Sequence, residues 1–311
     1  MSELRFDGRV AVVTGAGRGL GRAYARLLAA RGASVVVNDL GGTAEGEGSD
    51  VGPAQAVVAE ITDAGGAAVA DTNDVSTTAG AEAIIATAIA TYGRIDILVN
   101  NAGIMRWAGL PDIDVDNLRA HLDVHLVGSF NTTLAAWPHF VEQGYGRVVL
   151  TTSTGTLGLP NNLSYAAAKG GTIGLARSAK LAGAEHNILV NLIAPAAMTR
   201  LGGGSDDEAP AAEGMPTMPS SAAAPMVAYL AHEDCPVSGE IYTAGAGRFA
   251  RVFIASTDGY VADGEPTVED VASHWAAIND ETDYYVPADL MDWSAHYLAH
   301  QFRVPDHIGP E

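Results

Sequence analysis

The sequence predicts an α/β fold in which helices cover both faces of a seven-stranded parallel sheet. Short apolar runs rich in Val and Ile alternate with Ala-rich segments of helical period from the N-terminus to about Ala244. Runs that are apolar at nearly every position suit strands that are buried on both faces of a parallel sheet. The segments between these runs are long enough for the crossovers that parallel strands need. We therefore expect a doubly wound sheet.

The predicted elements follow from this alternation in chain order. Strands are expected at Ala11–Val13, Ser34–Val37, Ala67–Ala70, Ile95–Val99, Arg147–Leu150, Leu189–Ile193 and Glu240–Thr243. Helices are expected at Leu20–Arg31, Asp114–Glu142 and Ser164–Ala184, with one more at Thr267–Asn279 in the tail. Two stretches rich in glycine and acidic residues, Gly41–Gly52 and Gly202–Ser221, break the pattern and predict mobile loops. The second would be either a substrate lid or a disordered segment.

Length and composition set the expected domain organisation. A chain of 311 residues with 48% apolar content can bury a large core. We expect one large domain over residues 1–245. Residues 246–311 would form a C-terminal extension that packs on this domain or on a neighbouring subunit.

The charge and the apolar runs exclude several classes of partner. The formal net charge is −20 at pH 7, and the chain lacks the basic stripe that a nucleic-acid backbone requires. Residues 1–9 are polar, and no apolar run approaches the roughly 20 residues of a membrane span. The single cysteine, Cys235, cannot form an internal disulfide, which agrees with a reducing compartment. We expect a soluble cytoplasmic protein with no nucleic-acid or membrane partner.

A glycine-rich turn follows the first predicted strand. Gly15, Gly19 and Gly21 have the spacing Gly-x-x-x-Gly-x-Gly. Glycine allows a tight turn and lets a pyrophosphate approach the amides that open the helix beginning at Leu20. Asp39 ends the second strand, where a carboxylate accepts hydrogen bonds from the hydroxyls of an adenosine ribose. The pattern predicts a dinucleotide site.

Asp39 and Arg18 favour different cofactors. The Asp39 carboxylate would repel the 2′-phosphate of NADP, whereas the Arg18 guanidinium could meet that phosphate. A long arginine side chain can turn into solvent, while Asp39 would lie against the ribose itself. We therefore expect NAD.

Tyr165 and Lys169 combine a phenol and an ammonium on one helical face, because residues four apart are neighbours on a helix. A nearby cation favours the phenolate and so lowers the pKa of a tyrosine, which suits acid–base chemistry. The chain has two lysines among its 17 basic residues. A lysine at position 169 therefore indicates a need for a compact ammonium that a guanidinium cannot replace.

Three motifs in this order resemble those of the short-chain dehydrogenase/reductase family. They are Thr14–Gly21 with the pattern Thr-Gly-x-x-x-Gly-x-Gly, Asn100–Gly103 with the sequence Asn-Asn-Ala-Gly, and Tyr165-x-x-x-Lys169. The resemblance covers roughly residues 5–245. It implies a Rossmann fold, a nicotinamide cofactor, and hydride transfer between that cofactor and a small-molecule secondary alcohol or ketone.

Further stretches resemble one branch of the family, the dehydrogenase domains of peroxisomal multifunctional enzymes. They are Val36–Gly42, Val124–Phe130 and Ala244–Gly247, and the tail is similar through Trp275. The resemblance implies oxidation of (3R)-hydroxyacyl-CoA and some 17β-hydroxysteroids with NAD.

The resemblance also implies roles for single residues. Tyr165 would be the general acid/base, and Lys169 would bind the nicotinamide ribose and lower the pKa of Tyr165. The remaining cofactor contacts implied are Asn101, Ala102 and Gly103 at the adenosine, Asp74 and Val75 at the adenine, and Pro195 and Thr199 at the nicotinamide.

Two positions depart from the family pattern. The family's active-site serine lies thirteen residues before the tyrosine, and that count reaches Thr152. We assign Thr152, whose hydroxyl would bind the substrate oxygen, and keep the adjacent Ser153 as the alternative. A family asparagine is replaced by His125, whose backbone carbonyl could still hold a relay water.

The substrate and the oligomeric state are left open by the sequence. Arg106, Arg200, Arg248 and Arg251 are candidates for binding a coenzyme A tail, or are surface residues. An apolar alcohol pocket could be formed by Trp107, Leu157, Leu159, Met198, Met215 and Met218. We expect a homodimer or homotetramer formed by the helices Asp114–Glu142 and Ser164–Ala184, as is usual in this family.

Two further expectations concern metal binding and the alternative to an enzyme. The histidine pairs His121 and His125, and His296 and His300, have no accompanying third ligand, so no metal site is predicted. The alternative to an enzyme is a dinucleotide-binding sensor or scaffold without turnover, which intact Tyr165 and Lys169 disfavour.

Overall fold

The structure, a computed structural model, describes residues 3–202 and 218–302. The residues up to Arg251 form one compact unit, and those from Val252 onward form a second. Within the described ranges, no helix has both the length and the hydropathy that crossing a membrane requires.

A single sheet organises the first unit. Its strands are β1 (Val10–Thr14), β2 (Ser34–Asn38), β3 (Ala67–Asp71), β4 (Ile97–Asn100), β5 (Gly146–Thr151), β6 (Ile188–Pro195), β7 (Ile241–Gly245) and β8 (Arg248–Val252). They lie in the order β3-β2-β1-β4-β5-β6-β7-β8, and each pairing from β3 to β7 is parallel. Every residue of β1, β4 and β5 is buried, as expected for a sheet covered on both faces. The prediction of a doubly wound Rossmann-type sheet is confirmed.

The sheet contains an eighth strand, β8, in addition to the seven that the sequence predicts. Ala246 and Gly247, both with positive φ, connect β7 to β8. A two-residue turn of this kind joins antiparallel strands, so β8 closes the edge of the sheet as the second arm of a hairpin. This strand is largely exposed, and for that reason it lacks the apolar run that marks the buried strands.

Helices connect the strands on both faces. They are α1 (Gly19–Ala30), α2 (Gly52–Asp63), α3 (Thr78–Tyr92), α4 (Val115–His121), α5 (Gly128–Gln143), α6 (Leu163–Gly183) and α7 (Ala224–Leu230). The helix predicted over Asp114–Glu142 is not continuous α-helix, because a π-helical stretch, Leu122–Val127, separates α4 from α5. Such insertions change which side chains a helix presents, and they occur often at functional sites.

The second unit is small and irregular. It contains β9 (Ser256–Thr257), β10 (Tyr284–Tyr285), α8 (Val268–Ser273), α9 (Trp275–Ile278) and α10 (Leu290–Tyr297). The tail helix predicted at Thr267–Asn279 is therefore wrong as a single element. It begins where expected, with a capping box of Thr267 and Asp270, but it breaks at His274.

The structure describes the first of the two predicted mobile loops but only the ends of the second. Residues 41–51, here called the acidic loop, fold into turns that accept hydrogen bonds from Met105 and Arg106. Most of Gly202–Ser221 lies outside the described residues, so the lid prediction is not tested.

Candidate active site

A cleft of about 330 Å³ opens at the carboxyl ends of β1 and β4. The strand order reverses between these neighbours, and doubly wound sheets bind ligands at such a switch point. Predicted cofactor residues that line the cleft are Gly15, Arg18, Gly19, Leu20, Asp39, Asp74, Val75, Asn101, Ala102, Gly103 and Thr199. Pro195 ends β6 and is not among the lining residues.

The glycine turn is shaped by close backbone contacts. Gly15 and Gly19 have φ values of +62° and +50°, a region that side chains disfavour. A Cβ at Gly15 would lie 2.8 Å from Cα of Ala102, whereas the nearest atom to a Cβ at Gly19 would be 3.7 Å away, on Thr199. The amide end of α1 has no side-chain cap, so its backbone N–H groups face an open space that suits a phosphate.

Thr14 and Asn101 brace this turn against β4. The Thr14 hydroxyl accepts hydrogen bonds from the backbone amides of Asn101 (3.0 Å) and Ala102 (3.1 Å). In return, Nδ2 of Asn101 donates to the carbonyls of Thr14 (3.0 Å) and Gly15 (3.1 Å). The Asn-Asn-Ala-Gly motif thus holds the phosphate turn in place.

Asp39 is fixed by backbone amides at the wall of the cleft. Its Oδ2 accepts from the amide of Gly17 and its Oδ1 from the amide of Gly41, both at 2.7 Å. These bonds hold a negative charge in the position where the sequence predicted a ribose contact. Arg18 also lines the cleft, and its guanidinium donates to the carbonyl of Gly42 at 3.3 Å.

Asp74 and Val75 lie at the far end of the cleft, beyond β3. The Asp74 Oδ1 accepts a hydrogen bond from the amide of Ser76 at 2.9 Å, which orders this turn, and Val75 is almost fully buried. Both residues line the cleft, and their contact with an adenine stays a prediction.

Tyr165 and Lys169 lie one turn apart on α6, as the spacing predicts. The Lys169 Nζ is 5.8 Å from the centre of the Tyr165 ring and donates a 2.7 Å hydrogen bond to the carbonyl of Thr151. Burial lowers the pKa of Lys169 to about 7, so ammonium and amine are both populated near neutral pH.

The expected lowering of the Tyr165 pKa by Lys169 is not found in this geometry. Burial raises the pKa of Tyr165, and the group that opposes this rise is the Ser153 hydroxyl, which hydrogen-bonds to the phenol. Desolvation disfavours the phenolate, and the Lys169 ammonium, which donates to the Thr151 carbonyl, does not offset it. Burial therefore favours the protonated phenol of Tyr165 at neutral pH.

The hydroxyl assignment at the end of β5 needs correction. The Thr152 hydroxyl is buried and donates to the carbonyl of Lys169 at 2.8 Å, so it faces α6 instead of the cleft. Ser153 contacts Tyr165, and its oxygen accepts from the amide of Gly155 at 3.0 Å. The structure favours Ser153, because its hydroxyl contacts the Tyr165 phenol whereas the Thr152 hydroxyl is bonded to the backbone of α6.

His125 and His121 form a buried stack against Tyr165. Their ring centres are 5.8 Å apart, and the His125 ring meets the Tyr165 ring edge-on at 5.3 Å. The His125 Nε2 lies 2.9 Å from the carbonyl oxygen of Ile104, while its Nδ1 is buried with no hydrogen-bond partner in the structure. Burial, with a smaller effect of Lys169, holds the pKa of His125 well below its usual value, so the ring is neutral.

The π-helical stretch and Gly103 make room for this stack. A Cβ at Gly103 would lie 2.6 Å from Cε1 of His125, so only glycine fits there. His121, which was considered from the sequence as a candidate metal ligand, is fully buried, and the amide of Arg106 donates to its Nε2 at 3.3 Å. The i, i+4 spacing of His121 and His125 was the sequence signal for this stack. The predicted relay carbonyl, that of His125, accepts from the Ser129 hydroxyl at 2.7 Å.

Comparison with known proteins assigns the class. Residues 9–202 match the family model described as short chain dehydrogenase, and the chain belongs to this family of oxidoreductases. A Mycobacterium tuberculosis protein named as a short-chain type dehydrogenase/reductase is 46% identical over 273 residues, which are 88% of this chain and 94% of that protein.

The more particular resemblance is to peroxisomal multifunctional enzyme type 2 of Drosophila melanogaster. That enzyme is 45% identical over 283 residues, 89% of this chain and 46% of its own length. Its full-length structure superposes with a TM-score of 0.77 and 35% identity over 96% of this chain and 50% of that chain. The predicted resemblance to this branch is confirmed, and the chain spans about half the length of the multifunctional enzyme.

A steroid enzyme is a further structural neighbour. A 7α-hydroxysteroid dehydrogenase, solved with NADH and 7-oxo glycochenodeoxycholic acid, is 28% identical, with a TM-score of 0.68 over 79% of this chain and 98% of that chain. Family membership thus implies an enzyme that acts on hydroxyl groups with a nicotinamide dinucleotide.

Proposed function

We propose that this protein is an NAD-dependent dehydrogenase that moves a hydride between a secondary alcohol and the nicotinamide. The substrate would be a (3R)-hydroxyacyl thioester or a bulky apolar alcohol such as a steroid. The observation that carries the proposal is the partly buried Tyr165, hydrogen-bonded to Ser153 and one helical turn from Lys169, beside a cleft that suits a dinucleotide.

The cleft fits the proposed cofactor. The open backbone around Gly19 and the uncapped end of α1 suit the pyrophosphate, and Asp39 is held where it can accept from ribose hydroxyls. When bound, the nicotinamide supplies the site that accepts or gives the hydride. The fixed carboxylate of Asp39 supports NAD over NADP, because it would repel a 2′-phosphate.

The chain's own residues handle the proton. During alcohol oxidation, Ser153 would hold the substrate oxygen while Tyr165, in its phenolate form, takes the hydroxyl proton at its Oη. In the reverse direction the Tyr165 phenol gives that proton back, and burial favours this protonated form at neutral pH. Lys169 would hold the nicotinamide ribose through its Nζ, which the bond to Thr151 orients.

The substrate side is apolar. Trp107, Leu157 and Met198 follow the carboxyl ends of three neighbouring strands, and all three are exposed. Exposed apolar side chains around a catalytic tyrosine suit an acyl chain or a steroid. Of the other predicted pocket residues, Leu159 and Met218 are partly buried, and Met215 lies outside the described residues.

The candidate arginines for a coenzyme A tail divide into two groups. Arg106 and Arg200 line the dinucleotide cleft. Arg248 is exposed on β8, and Arg251 forms an ion pair with Glu240 at 2.7 Å. An acyl-CoA is therefore one of the two proposed substrate classes, and turnover assays with hydroxyacyl-CoA thioesters and hydroxysteroids distinguish them.

A homodimer or homotetramer is also proposed. Phe130 and Leu134 on α5 and Leu181 on α6 are exposed apolar residues, which a second copy of the chain could cover. Ala176, in contrast, is buried within its own subunit and cannot contribute. Light scattering that gives only the 32.0 kDa monomer at micromolar concentration would contradict the proposal.

Turnover assays test the proposed function. The protein would be mixed with NAD or NADP and either (3R)-3-hydroxyacyl-CoA thioesters or hydroxysteroids, and formation of the reduced nicotinamide followed by absorbance. We expect turnover with NAD and one of the two substrate classes. Binding of NADH without turnover of either class would support the alternative of a sensor or scaffold.

A cytoplasmic location is also proposed, because the single cysteine is a free thiol, which agrees with a reducing compartment. Cell fractionation tests this location.

A further inference from the structure

The acidic loop, residues 41–51, is a built structure at one wall of the dinucleotide cleft. The amide of Thr43 donates to Glu47 (2.9 Å), that of Gly46 to Thr43 (3.1 Å) and that of Asp50 to Leu40 (3.0 Å). Gly42, Thr43 and Gly46 line the cleft itself. The loop therefore forms part of the surface that a dinucleotide would meet.

The loop is attached to the segment that follows β4. The amide of Met105 donates to the carbonyl of Ala44 at 2.8 Å, and Nε of Arg106 donates to the carbonyl of Glu45 at 2.7 Å. A Cβ at Gly46 would lie 2.8 Å from Cγ2 of Ile104, so the two segments are in close contact. Both segments line the cleft, through Gly46 on one and Ile104 and Arg106 on the other.

Arg106 also contacts the helix that carries the buried histidine stack. Its amide donates to Nε2 of His121 at 3.3 Å, and its carbonyl accepts from Nδ2 of Asn117 at 3.0 Å. The His121 ring meets the Tyr165 ring edge-on at 6.2 Å. One residue thus joins the acidic loop to the wall that packs against the catalytic tyrosine.

The negative charge of the acidic loop makes its hydrogen bond to Arg106 important. The loop carries Glu45, Glu47 and Asp50 in a protein of net charge −20, so electrostatic repulsion opposes its closure. The guanidinium of Arg106 offsets that repulsion and supplies a charge-assisted hydrogen bond.

We propose that the acidic loop is a gate over the bound dinucleotide and that Arg106 is the positioning residue that latches it. This inference rests on the proposed function, because it assumes that NAD occupies the cleft. Opening of the gate would then limit the release of NADH, as lid opening does in many enzymes. Arg106 would act through the loop and through His121, not by contact with the reacting atoms.

The first test compares two arginine variants. Arg106→Gln removes the latch, while Arg119→Gln is the matched control, because Arg119 is exposed and its ion pair is with Asp116 on the same helix. Stopped-flow fluorescence would measure NADH dissociation. We expect dissociation about tenfold faster in Arg106→Gln, the effect of one charged hydrogen bond, and unchanged in Arg119→Gln. Arg106→Lys, which keeps a cationic donor, should restore most of the slow rate.

The second test needs no turnover. A glutamate-specific protease would report opening of the loop at Glu45 and Glu47, with cleavage followed by mass spectrometry. We expect faster cleavage there in Arg106→Gln than in the wild type or Arg119→Gln, and protection by NADH in the wild type.

The outcomes separate the two proposals. Unchanged NADH dissociation and unchanged cleavage in Arg106→Gln, or equal acceleration in Arg119→Gln, would overturn the gate. A wild type that binds NADH but turns over neither substrate class would overturn the proposed function and leave the gate to be decided by dissociation and cleavage. If the wild type binds no NADH, the gate falls with the proposed function.

Discussion

The candidate active site has two halves: the dinucleotide half, around Gly15–Gly21, is shaped mainly by backbone contacts, whereas the catalytic half, around Tyr165, lies outside the cleft lining and contains ionisable side chains with shifted pKa values. In the first half, Thr14 and Asn101 hold main-chain groups in place, and close contacts exclude a Cβ. In the second half, burial shifts the pKa values of Tyr165 and Lys169. Changes in the first half should therefore alter cofactor binding, while changes in the second should alter turnover.

The largest effect is expected at Tyr165. Tyr165→Phe removes the group that exchanges the substrate proton but keeps the ring that packs against His125. We expect the catalytic rate to fall by about 10³-fold or more, with NADH affinity nearly unchanged in a fluorescence titration. A rate within tenfold of the wild type would remove Tyr165 from the mechanism.

The neighbouring hydroxyls at the end of β5 give the next prediction. Ser153→Ala should lower kcat/KM by about 10²-fold, comparable to the loss of one oxyanion donor. Thr152→Ala should change kcat/KM much less but lower the free energy of unfolding by about 1 kcal/mol, because the bond to the Lys169 carbonyl is lost. Steady-state kinetics and urea denaturation of both variants test this, and the reverse ranking in kcat/KM would restore Thr152.

Cofactor preference tests the dinucleotide half. We expect kcat/KM with NAD to exceed that with NADP by about a hundredfold, or about 3 kcal/mol. Asp39→Ala should reduce this ratio, because the charge that repels the 2′-phosphate is removed and Arg18 remains nearby. Equal use of both cofactors by the wild type would refute the cofactor assignment.

The last prediction is a pH dependence of stability from Lys169, which is small over any one pH unit. Its pKa is about 7 in the folded protein and 10.5 in the unfolded chain, so between these values the unfolded state binds more protons. Stability should therefore rise with pH across this range, by at most about 1.4 kcal/mol per unit, and stay flat below pH 7. Measuring the free energy of unfolding of the wild type and Lys169→Met at pH 6, 7, 8 and 9 isolates this contribution. The same pH dependence in both proteins would contradict the prediction.

Local patterns predicted most of the fold and much of the site. The buried strands, the glycine turn and the pair Tyr165 and Lys169 each follow from short spacings that the fold imposes directly. Ser153 could not be chosen from the sequence, because counting back from Tyr165 assumes a fixed length for the loop between them. The strand β8 and the break at His274 escaped prediction because exposed elements carry weak periodicity.

Long-range contacts were beyond the sequence altogether. Neither the attachment of the acidic loop to Arg106 nor the hydrogen bond from the Arg106 amide to His121 leaves a local pattern, since each depends on how separate segments pack. A glycine-rich acidic stretch is compatible with a mobile loop or with a folded one, and only the partner segment distinguishes them.

Transfer of a labelled hydride tests the central claim most directly. A substrate from the class that turns over, deuterated at the carbinol carbon, would be incubated with NAD and the wild-type protein, and the reduced cofactor examined by mass spectrometry. We expect one deuterium in each NADH formed, and essentially none with Tyr165→Phe over the same time. Unlabelled NADH, or equal transfer by Tyr165→Phe, would contradict the account.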